Sequence, residues 1–172
     1  MSLVVDDGTG LPNSESYVSV ADATTYHANF GNYDWLNIDV ATQETYLRKA
    51  TRDLDLLLGR SYLSSPLSTT QALLWPRVSY TNTDGFLVSG IPTQLKNAVA
   101  ELALLNDSVD VTGPADESGN IASSAQKVGD LSVQTQYFAP TSTAPKMRRV
   151  NLMIAPLLSG GSTGLYAPVV RG

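Results

Sequence analysis

The chain contains no cysteine. Disulfides, thiolate metal sites and thiol nucleophiles are excluded together, while the redox compartment stays open. Histidine occurs once, as His27, so a zinc site lacks the nitrogen and sulfur ligands it needs. Bases are scarce, with 11 Lys plus Arg against 16 Asp plus Glu and a formal charge of −5. Affinity for nucleic acid comes mainly from neutralised phosphates and needs a concentrated cationic surface. The dense basic cluster here is Lys146, Arg148 and Arg149. The balance argues against general DNA binding and suits a protein that DNA slides past. No apolar run approaches the ~20 residues that span a bilayer. The N-terminus lacks a basic segment followed by a hydrophobic one, so the expectation is a soluble, unprocessed chain with no membrane partner.

The 172 residues suit one domain with room for an appendage. A fold of this size buries roughly 70% of its unfolded surface, enough to be stable without metal or disulfide. Leu3-Val4-Val5 reads as extended, followed by an acidic turn at Asp6-Asp7-Gly8-Thr9-Gly10 and a second extended piece at Ser16-Tyr17-Val18. Ser19 with Asp22 three residues on predicts a helix N-terminus, and Gly31 a stop. Val20, Ala23, His27 and Phe30 line one face of that helix, with Tyr26 beside it. A second helix is expected over 40–58, capped by Asp39, with Tyr46, Leu47, Ala50, Leu54, Leu57 and Leu58 as its apolar stripe. Arg48, Lys49 and Arg52 fall on the opposite side, with Asp53 and Asp55 nearby.

Residues 60–90 are irregular: a polar loop, an apolar plug at Ala72-Leu73-Leu74-Trp75-Pro76-Arg77, and a turn at Asn82-Thr83-Asp84-Gly85. A third helix starts at Ile91-Pro92 and buries Ile91, Leu95, Ala98, Val99, Leu102 and Leu105. Residues 107–125, rich in Asp, Ser, Gly and Ala, read as a mobile loop. Residues 126–138 alternate with strand period, with a turn or bulge at Gly129-Asp130. A short helix over 145–158 carries Val150, Met153, Ile154 and Leu157, and Pro156 ends or bends it. The expected fold class is therefore mainly α. It is a small bundle of three core helices plus a short C-terminal helix, with a β-strand or hairpin insertion and extended N- and C-terminal arms. Its divisions are a core at 1–106, the loop at 107–125, the strand and short helix at 126–158, and a flexible arm at 159–172.

Candidate chemistry meets a simpler reading at each position. Ser162 sits in a G-x-S-x-G pattern, but a nucleophile elbow needs a preceding buried strand and a later His, and glycines surround it. It reads as linker. His27, on an apolar helix face, reads as a packed, hydrogen-bonded residue. Residues 82–85 resemble a calcium-loop fragment, yet Tyr80 stands where the first carboxylate belongs. Asp6-Asp7 reads as a solvated acidic turn in preference to a cation site. Trp35 and Trp75 could stack on bases, but stacking platforms need adjoining cations. Trp75-Pro76-Arg77 reads better as a core plug whose Arg pairs with a carboxylate. No catalytic residue, metal or cofactor is expected, and the scattered carboxylates offer no acid pair for a hydrolase.

The order SYVSVADA-x-x-Y over 16–26, with a Trp at 35, resembles small head-to-tail adaptors of tailed phages, a family often labelled DnaT-like and single-stranded-DNA-binding. The likeness continues through TYLRKATRDLDLLLGRSY at 45–62, ALLWPR at 72–77, DG at 84–85, IPTQLKNAVAELAL at 91–104 and KVGDLSVQTQY at 127–137. It implies a helical core assembling as a dodecameric ring beneath the portal, extending the DNA channel and docking tail or stopper proteins. The implied partners are the portal, neighbouring subunits and tail proteins, with genomic DNA as passing cargo. The implied location is the virion neck, reached from the host cytoplasm during assembly. In similar adaptors a C-terminal segment grips the portal. Here Leu165, Tyr166, Val169, Val170 and Arg171 sit on a Gly/Ser leash that suits the task. Lys146, Arg148 and Arg149 are a candidate interface cluster, and Val128, Leu131, Val133 and Tyr137 a candidate subunit-interface strand. The rival implied by the label is a replication-type single-stranded-DNA binder.

Overall fold

A computed structural model describes residues 2–58, 61–82, 85–105, 123–128, 131–136 and 144–158, with side chains described as far as Leu105 and again from Arg148. Helix α1 (Val20–Asn29) begins as its sequence predicts: the Ser19 side chain accepts a hydrogen bond from the Asp22 backbone N–H at 3.0 Å. It ends at Gly31, whose φ of +70° suits a residue without a Cβ. Ala23 and His27 are buried, whereas Phe30 is 67% exposed and leaves the expected apolar face. Its ring leans on Tyr26 at the helix end instead of entering the core.

One helical turn, α2 (Tyr33–Leu36), follows. Four residues are too few to show a period, so the sequence carries no sign of it. It places Trp35 wholly inside, where the indole N–H donates to Thr24 Oγ1 at 3.1 Å and the Gln43 amide donates to the Trp35 carbonyl at 2.8 Å.

Helix α3 (Val40–Leu58) has the predicted bounds, and Asp39 caps it by accepting from the Thr42 N–H and hydroxyl. Leu47, Ala50 and Leu54 are buried as expected. Leu57 is 47% exposed, and Thr51 and Asp53 are buried in its stead, so the inward face is rotated toward the polar side of the predicted stripe.

The two N-terminal extended pieces meet, Val5 with Ser16 in a parallel bridge that the sequence did not announce. Within the 61–82 segment, Trp75 is fully buried edge-on to Tyr62 and Tyr80, at 5.9 and 5.2 Å between ring centroids. A two-residue ladder of β1 (Tyr80–Thr81) against β2 (Leu87–Val88) closes over the predicted turn, where Asn82 accepts from Gly85 N–H and its side chain from Phe86 N–H.

Helix α4 (Thr93–Leu105) is the centre of the fold. The sequence predicts one buried face; Ala100, Glu101 and Ala103 are buried as well. The reason is its position: α4 packs against α1, α3 and α5, and a helix covered on most sides buries residues beyond one stripe. Strands β3 (Ser123–Val128) and β4 (Leu131–Gln136) form an antiparallel hairpin, Val128 opposite Leu131 across the predicted turn position. The strand thus starts at Ser123, ahead of the expected 126. Helix α5 (Ala144–Ile154) stops before Pro156, which sits in a 3-10 turn over Ala155–Leu157. Val150, Ile154 and Leu157 complete the core. The domain is mainly α, with five α-helices among the described residues.

Candidate interaction surfaces and the polar groups beneath them

Three carboxylates, Asp6, Asp55 and Glu101, hold segments of the fold in place. Asp6 is 3% exposed, not solvated as the sequence suggested. Its carboxylate accepts from the N–H groups of Gly8 and Leu11 at 2.8 and 3.0 Å and from the Ser14 hydroxyl at 3.0 Å, so it organises the loop that contains it. Asp7 is exposed and bonds Thr9, which holds its carboxyl below the ordinary carboxylate range.

Asp55 is the second. The Tyr17 hydroxyl donates to its oxygens at 2.9 and 2.7 Å, the Leu74 N–H donates at 3.1 Å, and the Tyr17 oxygen in turn accepts from the Trp75 N–H at 3.1 Å. One carboxylate therefore ties α3, the N-terminal segment and the tryptophan plug together. Burial pushes its pKa up to about 6, against the opposing effect of these hydrogen bonds. The same burial raises the Tyr17 hydroxyl well above its usual range.

Glu101 is the third. It accepts from the Tyr26 hydroxyl at 2.9 Å and pairs with Arg149 at 3.2 Å, joining α1, α4 and α5. His27 lies alongside, its Nε2 3.1 Å from the Ala100 carbonyl and its Nδ1 3.1 Å from the Asn32 amide. Nε2–H donating and Nδ1 accepting is the neutral tautomer that satisfies both, and burial lowers its pKa accordingly. It is a structural histidine, as its face predicted.

Four arginines are engaged by the protein's own oxygens, although Arg52 and Arg149 keep 67% and 63% of their side chains exposed. Arg48 pairs with Glu15 at 2.9 Å and Glu44 at 3.5 Å, and Arg52 with the fully buried Asp53 at 3.2 Å. Arg77, expected to find a carboxylate, instead donates to the carbonyls of Leu63, Ser64 and Leu74. Three carbonyls converge where the chain doubles back at 63–77, and a guanidinium fork satisfies them together. Of the basic cluster, Arg149 is engaged by Glu101 and Arg148 is exposed; the Lys146 side chain lies outside the described residues.

Other expected site residues are split. Val128, Leu131 and Val133 stand on the hairpin, Val133 in register with Gln126. Tyr137, Ser162, Leu165, Tyr166, Val169, Val170 and Arg171 lie outside the described residues. No cluster of metal-ligating side chains occurs among the described residues, and no described helix is long and apolar enough to cross a membrane.

The surface features that sequence reasoning missed are apolar. Phe30, Tyr33 and Val40 are 67, 68 and 60% exposed around the α1–α2–α3 corner, Phe86 and Leu87 70% each on the β-hairpin, and Leu152 59% on α5. Leu56 is 70% exposed beside an open groove lined by Ala72, Leu73 and Leu74 with Glu15, Arg52 and Asp55. A carboxylate inside the leucine run Leu54-Asp55-Leu56-Leu57-Leu58 was the available signal that this stretch is not a simple core stripe.

A protein family described as "Putative DnaT-like ssDNA binding protein" matches residues 1–172. The chain belongs to this family. Neither a curated protein nor a solved structure matches it. The family match spans the helical core, the β3–β4 hairpin and the C-terminal residues alike.

Proposed function

We propose that this protein is a non-enzymatic structural adaptor of the tailed-phage neck, working through protein contacts in a ring beneath the portal. The observation that carries this reading is the distribution of charge against apolar surface. The chain is acidic, and Arg48, Arg52, Arg77 and Arg149 are engaged by its own oxygens. Both tryptophans are fully buried, so neither can stack on a base. The exposed aromatics Phe30, Tyr33 and Phe86 lie in residues 26–40 and 80–90, which contain no lysine or arginine. Phe30 leans on Tyr26, whose hydroxyl shares Glu101 with Arg149, so the cation on that side is already paired with a carboxylate.

Apolar exposure on several separate elements is what ring assembly requires. A ring subunit meets its two neighbours through two different patches, and a docking partner through a third. Exposed apolar side chains at the α1–α2–α3 corner, on the β1–β2 hairpin and on α5 supply such patches. The C-terminal residues Leu165, Tyr166, Val169, Val170 and Arg171 are the proposed portal grip. Arg148 and the strand residues Val128, Leu131, Val133 and Tyr137 are proposed subunit contacts.

The second reading, a single-stranded-DNA binder, is favoured by the family's description. Electron microscopy of the protein mixed with purified portal separates the two. The adaptor reading expects a ring of added density on the portal. Bare portal, together with tight oligonucleotide binding, supports the rival.

A further inference from the structure

Helix α3 ends in apolar side chains that face outward, Leu56 at 70% and Leu57 at 47% exposure. Leu56 lines an open groove of about 430 Å³ together with Ala72, Leu73, Leu74, Glu15, Arg52 and Asp55. The chain leaves the C-terminal helix next to this place. Leu63 N–H donates to the Leu157 carbonyl at 3.0 Å, and Tyr62 pairs antiparallel with Leu158. An antiparallel partner that passes Tyr62 is heading back toward the C-terminal end of α3, where Leu56 and Leu57 are. Residues 159–164, Ser-Gly-Gly-Ser-Thr-Gly, can span up to about 20 Å when extended. After them comes Leu165-Tyr166-Ala167-Pro168-Val169-Val170, apolar throughout, and then Arg171.

We propose that the groove seats residues 165–170 of the same chain, with Tyr166 and the valines against Leu56, Leu73 and Leu74. The exit direction, the leash length and the apolar match point to one occupant. A short leash holds the segment at high effective concentration, so a shallow groove suffices to keep it. The docking needs no partner and stands apart from the neck reading. Its consequence for assembly rests on that reading: the segment reaches a portal by leaving the groove.

The absence of native cysteine makes the test clean. The full-length variants A72C/A167C and T25C/A167C are oxidised in a dilute glutathione buffer and the intramolecular disulfide is timed. Ala72 and Thr25 are both exposed, and Thr25 lies on α1, away from the groove lining. The A72C pair closes about tenfold faster than the T25C pair, the advantage of a docked over a freely moving end. Adding Leu56→Glu, at an exposed position, brings the A72C pair down to the control rate. Equal rates for the two pairs overturn the proposal. Disulfide-linked dimers in place of the internal bond overturn it too, and assign the groove to a second copy of the chain.

Discussion

Asp55 carries its carboxylate inside the fold because donors from two other segments, the Tyr17 hydroxyl and the Leu74 N–H, meet on it. Its pKa of about 6 in the folded chain stands above the 3.8 of an ordinary aspartate. The folded state therefore binds this proton more tightly than the unfolded state. Stability from this group is greatest in acid, declines as pH rises from about 3.8 to about 6, and carries the full cost of ionisation above that. Two pKa units correspond to about 3 kcal/mol. The expected result is that the unfolding free energy of the native protein, measured in urea relative to D55N, falls by up to about that amount between pH 4 and pH 7. Taking the difference removes the opposite trend of Asp7, Glu15 and Asp39, whose lowered pKa values make stability fall in acid. A flat difference would mean that Asp55 is as well solvated as an ordinary surface carboxylate. The sequence showed none of this, because the role of a carboxylate is set by segments distant in the chain. Tyr17 is 38 residues away from Asp55.

At the scale of elements, local signals were sufficient wherever a cap or a long period was present. The bounds of α3, the Ser19 cap, the Gly31 stop, the plug around Trp75 and the end of α5 at Pro156 were all legible. What escaped was whatever depends on neighbours. α4 buries more than its predicted face because helices cover it on several sides. α3 turns Leu57 outward and Thr51 and Asp53 inward, which no stripe reveals. Two substitutions on α3 separate these roles. Leu54→Ala, at 1% exposure, costs about 3 kcal/mol in chemical denaturation. Leu56→Ser, two residues on and 70% exposed, changes stability by less than about 0.5 kcal/mol. Comparable losses at the two positions would place Leu56 inside the core of the folded monomer.

At the scale of the whole molecule, the protein is an acidic, mainly helical body in which four arginines serve its own cohesion and apolar side chains face outward on several elements. Removing residues 159–172 leaves the helical core folded, with unchanged far-ultraviolet circular dichroism, and abolishes co-sedimentation with portal. Retained co-sedimentation would move the docking surface to the 127–137 strand. The acidic balance was legible in the sequence as composition, while the apolar C-terminal end lies outside the described residues. The outward-facing apolar residues were not legible, since Phe30 and Leu57 fit helical stripes and were assigned inward.

The most direct measurement is a fluorescence-anisotropy titration of a labelled single-stranded oligonucleotide with the full-length protein across a series of salt concentrations. Even non-specific binders reach dissociation constants of about 10⁻⁴ to 10⁻⁶ M at physiological salt. A neck protein that DNA passes without sticking gives no saturable signal in that range and no salt slope. Micromolar or tighter binding that weakens steeply as salt rises would contradict it.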